Sequence, residues 1–411
     1  MAERIVLMFA YHFPPENSIG GARPYRFYKF LSRMGYRCHV ITAVDQAASP
    51  NPNIEYVPDP FITQPRQGAG WQLERAVRKF LLPGATGIRW SLRACQTARN
   101  FLRANPDAEM TIFSTYPPLG AHLAAFHLTR GSGLRWIADF RDPLGDNPSH
   151  TFLNGYQRVL HRWLERTVAK TATILIANTD AIAEEWKNVY EDQHDHIHLI
   201  WNGFDPEDRL LPLPLPERKY QLISHAGSLY QGRIITPLLE SFSRLFDSGR
   251  LAAGRVRIRL VGSMLTESIP GPEFLQRAKA NGWLELISEP IPHMDARTIA
   301  QTSDGLLLVQ PHSNVQVPGK LYEYLQIGRP VLAYIPFDTP IERILERSGV
   351  PYRCVYAGSS PQEMDNAVES FLNLKAEASP ASNWFEQNFD ARNQTQILEK
   401  LIRSIHEREE K

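Results

Sequence analysis

Short apolar runs alternate with stretches of helical spacing along most of the chain. The first run, Ile5 to Ala10, is followed by two prolines and then by Gly20 and Gly21. A run so short and so apolar suits a strand covered on both faces. Pro24 predicts a helix start, since a proline in the first turn gives up no hydrogen bond. Phe27, Phe30, Leu31 and Met34 then recur at helical spacing, Gly35 closes the helix, and His39 to Thr42 is strand-like again. The pattern repeats in two blocks. The first predicts further strands at Met110–Ser114, Trp136–Asp139, Thr173–Ala177 and His198–Trp201. The second predicts Tyr220–Ala226, Arg255–Val261, Leu284–Ser288, Gly305–Val309 and Pro330–Ile335. Such alternation predicts parallel sheets with helices on both faces.

Between the blocks, "NGFDPEDRLLPLPLPERK" carries four prolines and predicts a stiff, extended connection. The expected organisation is therefore two doubly wound α/β domains, 1–205 and 217–390, joined by 206–216 and facing an interdomain cleft. Ligands in such sheets sit beyond the carboxyl ends of the strands.

Composition narrows the field. Hydrophobic residues make up 43% and charged residues 22% of 411, with a formal net charge of +1. No overall field argues for a nucleic-acid partner. Cys38, Cys95 and Cys354 are odd in number and far apart, which suits a reducing compartment and gives no zinc spacing. No opening segment reads as a signal peptide, and no apolar run reaches the roughly 18 residues of a membrane span. The expected location is cytoplasmic.

Candidate chemistry gathers at predicted strand ends. Gly20 and Gly21 either turn the backbone or admit a phosphate to a helix N-terminus; G-x-G-x-x-G is absent, so NAD is disfavoured. In "VPGKLYEYLQIGRPVLAYIP", Gly319 opens a helix carrying Lys320, Leu321 and Glu323 in its first turns. A helix N-terminus with one ammonium suits a diphosphate, and a carboxylate one turn deeper suits a ribose diol; an i,i+3 surface ion pair is the plainer alternative. "ISHAGSLYQGR" ends a strand at Gly227 and Ser228 and delivers Arg233, whose guanidinium matches phosphate geometry. In "RWIADFRDPL", Arg141 and Asp142 follow a strand, where a carboxylate can orient an acceptor hydroxyl, or where Asp139 and Arg141 simply pair. His12, His122, His225, His293 and His312 are scattered, each reading alone as structural or exposed. No metal-ligand spacing occurs, so no metal is expected. Arg89, Arg93, Arg99 and Arg103 share one side of a predicted helix, either a solvated face or a contact for anionic lipid headgroups.

The stretches "YHFPP…GGARPYRF", "FSTYPPLGAHL", "WIADFRDPL", "IWNGFD", "HAGSLYQGR" and "VPGKLYEYLQIGRPVLA" occur in an order that resembles family-4-like glycosyltransferases of the GT-B fold. The resemblance covers nearly the whole chain. It implies a retaining, metal-independent transferase that uses a nucleotide diphosphate sugar as donor substrate and needs no other cofactor. The acceptor, a glycan or lipid-linked molecule, is implied in the first domain and the nucleotide in the second, with the final helix, 391–411, crossing back to the first. It further implies that Arg233 and Lys320 neutralise the diphosphate, with Gly20 and Gly21 closing over it, and that Glu323 is the second glutamate of E-x7-E. Two positions depart: Val315 stands where the first glutamate is expected, and Arg141 replaces a histidine. A nucleotide-sugar epimerase and a non-catalytic scaffold protein are the alternatives with this architecture.

Overall fold

The computed structural model describes residues 3–15, 19–45, 50–63, 68–83, 85–147, 154–230, 232–252 and 254–407. The chain divides into two compact units: Met1–Asp205 with Asp390–Lys411, and Pro206–Phe389. The first unit holds strands β1 (Arg4–Phe9), β2 (Arg37–Thr42), β3 (Ile54–Tyr56), β4 (Glu109–Tyr116), β5 (Arg135–Phe140), β6 (Ile174–Ala177) and β7 (Ile197–Leu199). They form a parallel sheet in the order β3-β2-β1-β4-β5-β6-β7. Helices α1 (Ile19–Arg33), α2 (Pro60–Thr63), α3 (Ala69–Ala76), α4 (Ile88–Ala104), α5 (Leu119–Thr129), α6 (Gly155–Thr171) and α7 (Asp180–Val189) connect them.

The second unit holds β8 (Gln221–Ala226), β9 (Val256–Val261), β10 (Leu284–Ile287), β11 (Gly305–Val309), β12 (Val331–Ile335) and β13 (Tyr352–Tyr356), ordered β10-β9-β8-β11-β12-β13. Its helices are α8 (Thr236–Asp247), α9 (Pro272–Ala280), α10 (His293–Gln301), α11 (Lys320–Ile327), α12 (Pro340–Ser348), α13 (Pro361–Leu372) and α14 (Asn383–Phe389). The final helix, α15 (Ala391–Glu407), returns to the first unit. Both sheets are doubly wound, and in each the strand order reverses at one place: β1/β4 and β8/β11. Open α/β sheets bind ligands at such reversals, beyond the carboxyl ends of the strands.

The alternation of the sequence thus corresponds to the observed sheets. Two strands escaped it, β3 and β13, both at sheet edges, where half-exposed residues such as Glu55 and Arg353 interrupt any apolar run. The helix after β1 begins at Ile19, five residues before Pro24, so Gly20 and Gly21 are helical rather than part of a crossing loop. Packing explains them. A Cβ at 20 would lie 3.0 Å from His12 Cδ2, and one at 21 would lie 3.2 Å from Phe13 Cα. The glycines let α1 sit directly on the segment leaving β1. The proline-rich stretch is no free connection either. Leu210 and Leu213 donate their amides to Gln326 Oε1 and Gln301 O, so 206–216 lies along the second unit.

The first core gathers Val6, Met8, Phe27, Leu31, Val40 and Phe113 with Leu398, Ile402 and Ile405 of α15. The second gathers Ile223, Leu239, Phe242, Ile258, Leu307 and Leu332.

Candidate functional site

At the first strand reversal the buried charges are paired or hydrogen-bonded, although His122 Nε2 and Asn178 Oδ1 are buried without hydrogen-bond partners. Arg23 of α1 is 2% exposed and meets Asp139 at 2.7 Å, with further donation from Nε to both carboxylate oxygens. The same guanidinium serves the Ile200 and Trp201 carbonyls, and Thr115 Oγ1 donates to Asp139. Asp139 therefore pairs with Arg23 of α1, not with Arg141 two residues on. Arg141 spends its guanidinium on carbonyls: Gly20 at 2.7 Å, Tyr116 at 3.3 Å, and Pro117. The Gly20 carbonyl is available because Pro24, four residues on, has no N–H to offer it. Burial pushes the Arg141 pKa down, and Asp139 and Asp142 oppose that shift. Asp142, half-buried, is its neighbour. His122 is enclosed, bonded through Nδ1 to Ser114 Oγ at 2.8 Å, and burial pushes it to about 3; it is structural.

The second reversal is built differently. β8 ends at Ala226, and Gly227 follows with φ +144, a conformation open to glycine. A Cβ there would stand 1.5 Å from Lys320 Nζ, so the missing side chain makes the space the ammonium occupies. Gly262, at the end of β9, likewise makes room for the Gly227 backbone, 2.7 Å from where a Cβ would be. Gly232, φ +81, repeats the device: a Cβ would meet the His312 ring at 2.7 Å. Ser228 is exposed between these glycines. Arg233 closes the turn with its amide on Tyr230 O, and its guanidinium lies over the Tyr230 ring, 4.3 Å from the centroid.

Electrostatics show what these groups do to one another. Burial pushes Lys320 from 10.5 down to about 8, helped by Arg233 and opposed by Glu323. His225, fully buried with Nδ1 on Leu307 O at 2.9 Å, is held well below 6.5 by burial, then Lys320, with Arg233 adding to it. His312 is lowered by burial and Arg233. The His225 Nε2 and His312 Nδ1 atoms are buried without hydrogen-bond partners. Mutually repelling cations converge here, at the end of β8 and the start of α11.

Helix α11 starts at Gly319, where a Cβ would meet open space, and ends at Gly328, φ +74, where one would collide with Ser379 O. Leu321 does not reach the site: its side chain is fully buried in the core and its amide is bonded to Pro318 O. Glu323 faces Arg297 of α10 at 3.3 Å and His293 at 3.5 Å, and Arg297 also holds Asp208 at 2.7 Å. Its ion partner is thus on another helix, not Lys320. In the loop before α11, Ser313 Oγ accepts the amides of Val315 and Gln316, and no carboxylate stands at 315. Arg297 was not named from the sequence, and His225 and His312 read there as structural or exposed, since each of the three comes from a different element. Among the described residues no group of three His, Cys, Asp or Glu is placed to hold a metal ion.

Comparison with known proteins agrees with this architecture. Residues 21–208 match the model of Glycosyltransferase Family 4. No curated protein matches the sequence significantly. Among solved structures, Anabaena Alr3699/HepE in complex with UDP is similar at TM-score 0.62 and 16% identity, over 98% of this chain and 100% of that one. A glycosyltransferase from Rickettsia africae is similar at TM-score 0.63 and 11% identity, over 98% of each chain. A UDP-forming α,α-trehalose-phosphate synthase from Burkholderia vietnamiensis is similar at TM-score 0.64 and 12% identity, over 100% of each. The first unit thus carries the Glycosyltransferase Family 4 match, and the chain as a whole has the GT-B fold of these structures.

Proposed function

From that fold and the family match of its first unit we propose that the protein moves a sugar from a nucleoside diphosphate sugar to a glycan or lipid-linked acceptor, with retention, in the synthesis of a surface polysaccharide or other glycoconjugate. The observation that carries the donor reading is the convergence of Lys320 and Arg233 at the end of β8, in the space that Gly227 leaves. Burial and then Arg233 lower the tolerance of Lys320 for charge, and a diphosphate would relieve it. UDP, the nucleotide held by the similar HepE structure, is the first probe to try.

In the proposed reaction, the anomeric C–O bond to the β-phosphate breaks as the acceptor oxygen bonds to the same carbon. The acceptor proton passes to the departing phosphate, so no side-chain base is needed. Lys320, Arg233 and the opening turn of α11 stabilise the negative charge growing on the leaving group. They supply the positive charge in a reading that uses no metal. Glu323 accepts hydrogen bonds from the ribose. In the first unit Asp142 orients the acceptor hydroxyl, and Arg141 holds the surrounding backbone.

The test is turnover and calorimetric UDP binding in Lys320→Ala and Arg233→Ala. Each should lower turnover about 100-fold, as loss of one transition-state donor does. UDP affinity should be constant below pH 8 and fall above it as the Lys320 ammonium, titrating at about 8, loses its proton. Lys320→Ala should abolish that dependence. Wild-type turnover and affinity in both variants would place the diphosphate elsewhere.

A further inference from the structure

Helix α6 turns an unusual face to solvent. A surface helix with an apolar stripe ordinarily buries it. Here the buried residues include Gln157, His161 and Glu165, whereas Tyr156, Val159 and Trp163 stand 53%, 66% and 59% exposed. Those three fall at i, i+3 and i+7 and form one stripe. Beside it Arg158, Arg162, Arg166 and Lys170, all exposed, follow at four-residue intervals. The single acid of the helix, Glu165, points inward, accepting the Leu144 and Gly145 amides and the Tyr190 hydroxyl.

A second element extends the face. Tyr156 Oη and Gln157 Nε2 both donate to Phe80 O, fixing the π-helical turn Val77–Leu81 beside the start of α6. Phe80 and Leu81 are 54% and 44% exposed, and the Lys79 ammonium lies 5.2 Å from the Phe80 ring centre. The arginines of α4 are a poorer candidate. Arg89 is half-buried, and Arg99 and Arg103 bond to His127 O and Asn100.

We propose that this face of the first unit docks on an anionic lipid bilayer, with Trp163, Tyr156 and Phe80 among the headgroups and the basic stripe on lipid phosphates. Charge complementarity selects the occupant. Among the described residues five cations border the apolar stripe, against two exposed acids at Arg162: Asp146, paired with it at 2.8 Å, and Glu185, which it also attracts. A symmetric pairing with a second copy would set the basic stripe against itself. Amphipathic tryptophan and arginine on one exposed helix face suit the lipid interface.

The inference does not depend on the donor reading, and one experiment separates them. The wild type should sediment with vesicles of phosphatidylcholine and phosphatidylglycerol at low salt, and be released at high salt. Phosphatidylcholine alone should bind it far less. Each cation at an anionic surface strengthens binding about fivefold, so Arg158→Glu with Arg166→Glu should weaken it about 30-fold or more. Phe80→Ser with Trp163→Ser should weaken it about tenfold or more through lost apolar burial. Both variants should melt as the wild type does and keep its UDP affinity. Equal binding to neutral vesicles, none to anionic ones, or variants that bind like the wild type would overturn the proposal. A dimer that the Phe80 and Trp163 changes dissolve, without vesicle binding, would give the face to a second copy. Absent UDP binding beside normal vesicle binding would sink the donor reading alone.

Discussion

The two strand reversals are the same place in the same topology, yet their polar groups have opposite fates. In the first unit Arg23 and Asp139 meet at 2.7 Å, and Arg141 is bonded to three carbonyls. In the second, Lys320, Arg233, His225 and His312 converge, and Lys320, His225 and His312 are each pushed toward the neutral form by burial, with one or both of Lys320 and Arg233 adding to it. Buried charge that is paired belongs to the architecture; buried like charge that is gathered costs stability and suits an anion. The contrast is what favours the second unit as the nucleotide side in the proposed reading.

The largest effect that could break the comparison is on stability. Asp139→Ala should destabilise the first unit by about 3–5 kcal/mol, because it strands the buried Arg23. Lys320→Met should leave the second unit unchanged or stabilise it. The sign follows from the titration: the unfolded lysine holds its proton to about 10.5 and the folded one to about 8. Between those values the unfolded chain binds more protons and stability rises with pH; below 8 the full penalty applies, and methionine removes it. Denaturant unfolding of both variants at pH 7 is the measurement, and equal losses would erase the distinction.

A smaller effect sharpens it. Gly227→Ala should push the Lys320 ammonium from its place and weaken UDP binding about tenfold, the scale of one charge-assisted hydrogen bond. Calorimetry on the folded variant checks this, and Gly254→Ala, where a Cβ meets open space at φ +75, is the control for an alanine placed at a positive φ without a clash. Glu323→Gln should be milder still, about 1 kcal/mol in UDP affinity, because Arg297 already shares the carboxylate. A larger loss would mean that Arg297 releases Glu323 when nucleotide arrives.

What the sequence disclosed follows from the range of each interaction. Central strands announced themselves as apolar runs, and Gly227, Arg233, Lys320 and Glu323 lay beside them at strand ends, where chemistry is expected. The edge strands β3 and β13 were silent, since one exposed face leaves room for Glu55 and Arg353. Pairings across the sheet were also silent. Arg23 and Asp139 are 116 residues apart, and His225 reaches a carbonyl 82 residues on. Leu321 was misread because a residue next to Lys320 in sequence lies about 100° around the helix from it, and here that direction is the core. Gly20 and Gly21 signalled a close approach without saying what approaches. Here it is the backbone of Phe13 and the ring of His12.

The route of the chain has a consequence for how the protein is made. The second unit is an insertion in the first: Phe204 and Asp390 form a bridge at the point where the polypeptide leaves and returns. Leu398, Ile402 and Ile405 belong to the first core, Tyr36 bonds to Glu399, and Thr111 meets His406 at 2.9 Å. During synthesis the second unit can therefore finish folding while the first still exposes the groove on α1 that awaits α15. The unit translated earliest is completed last, and a ribosome that stalls before Leu398 leaves its apolar groove open to chaperones and proteases.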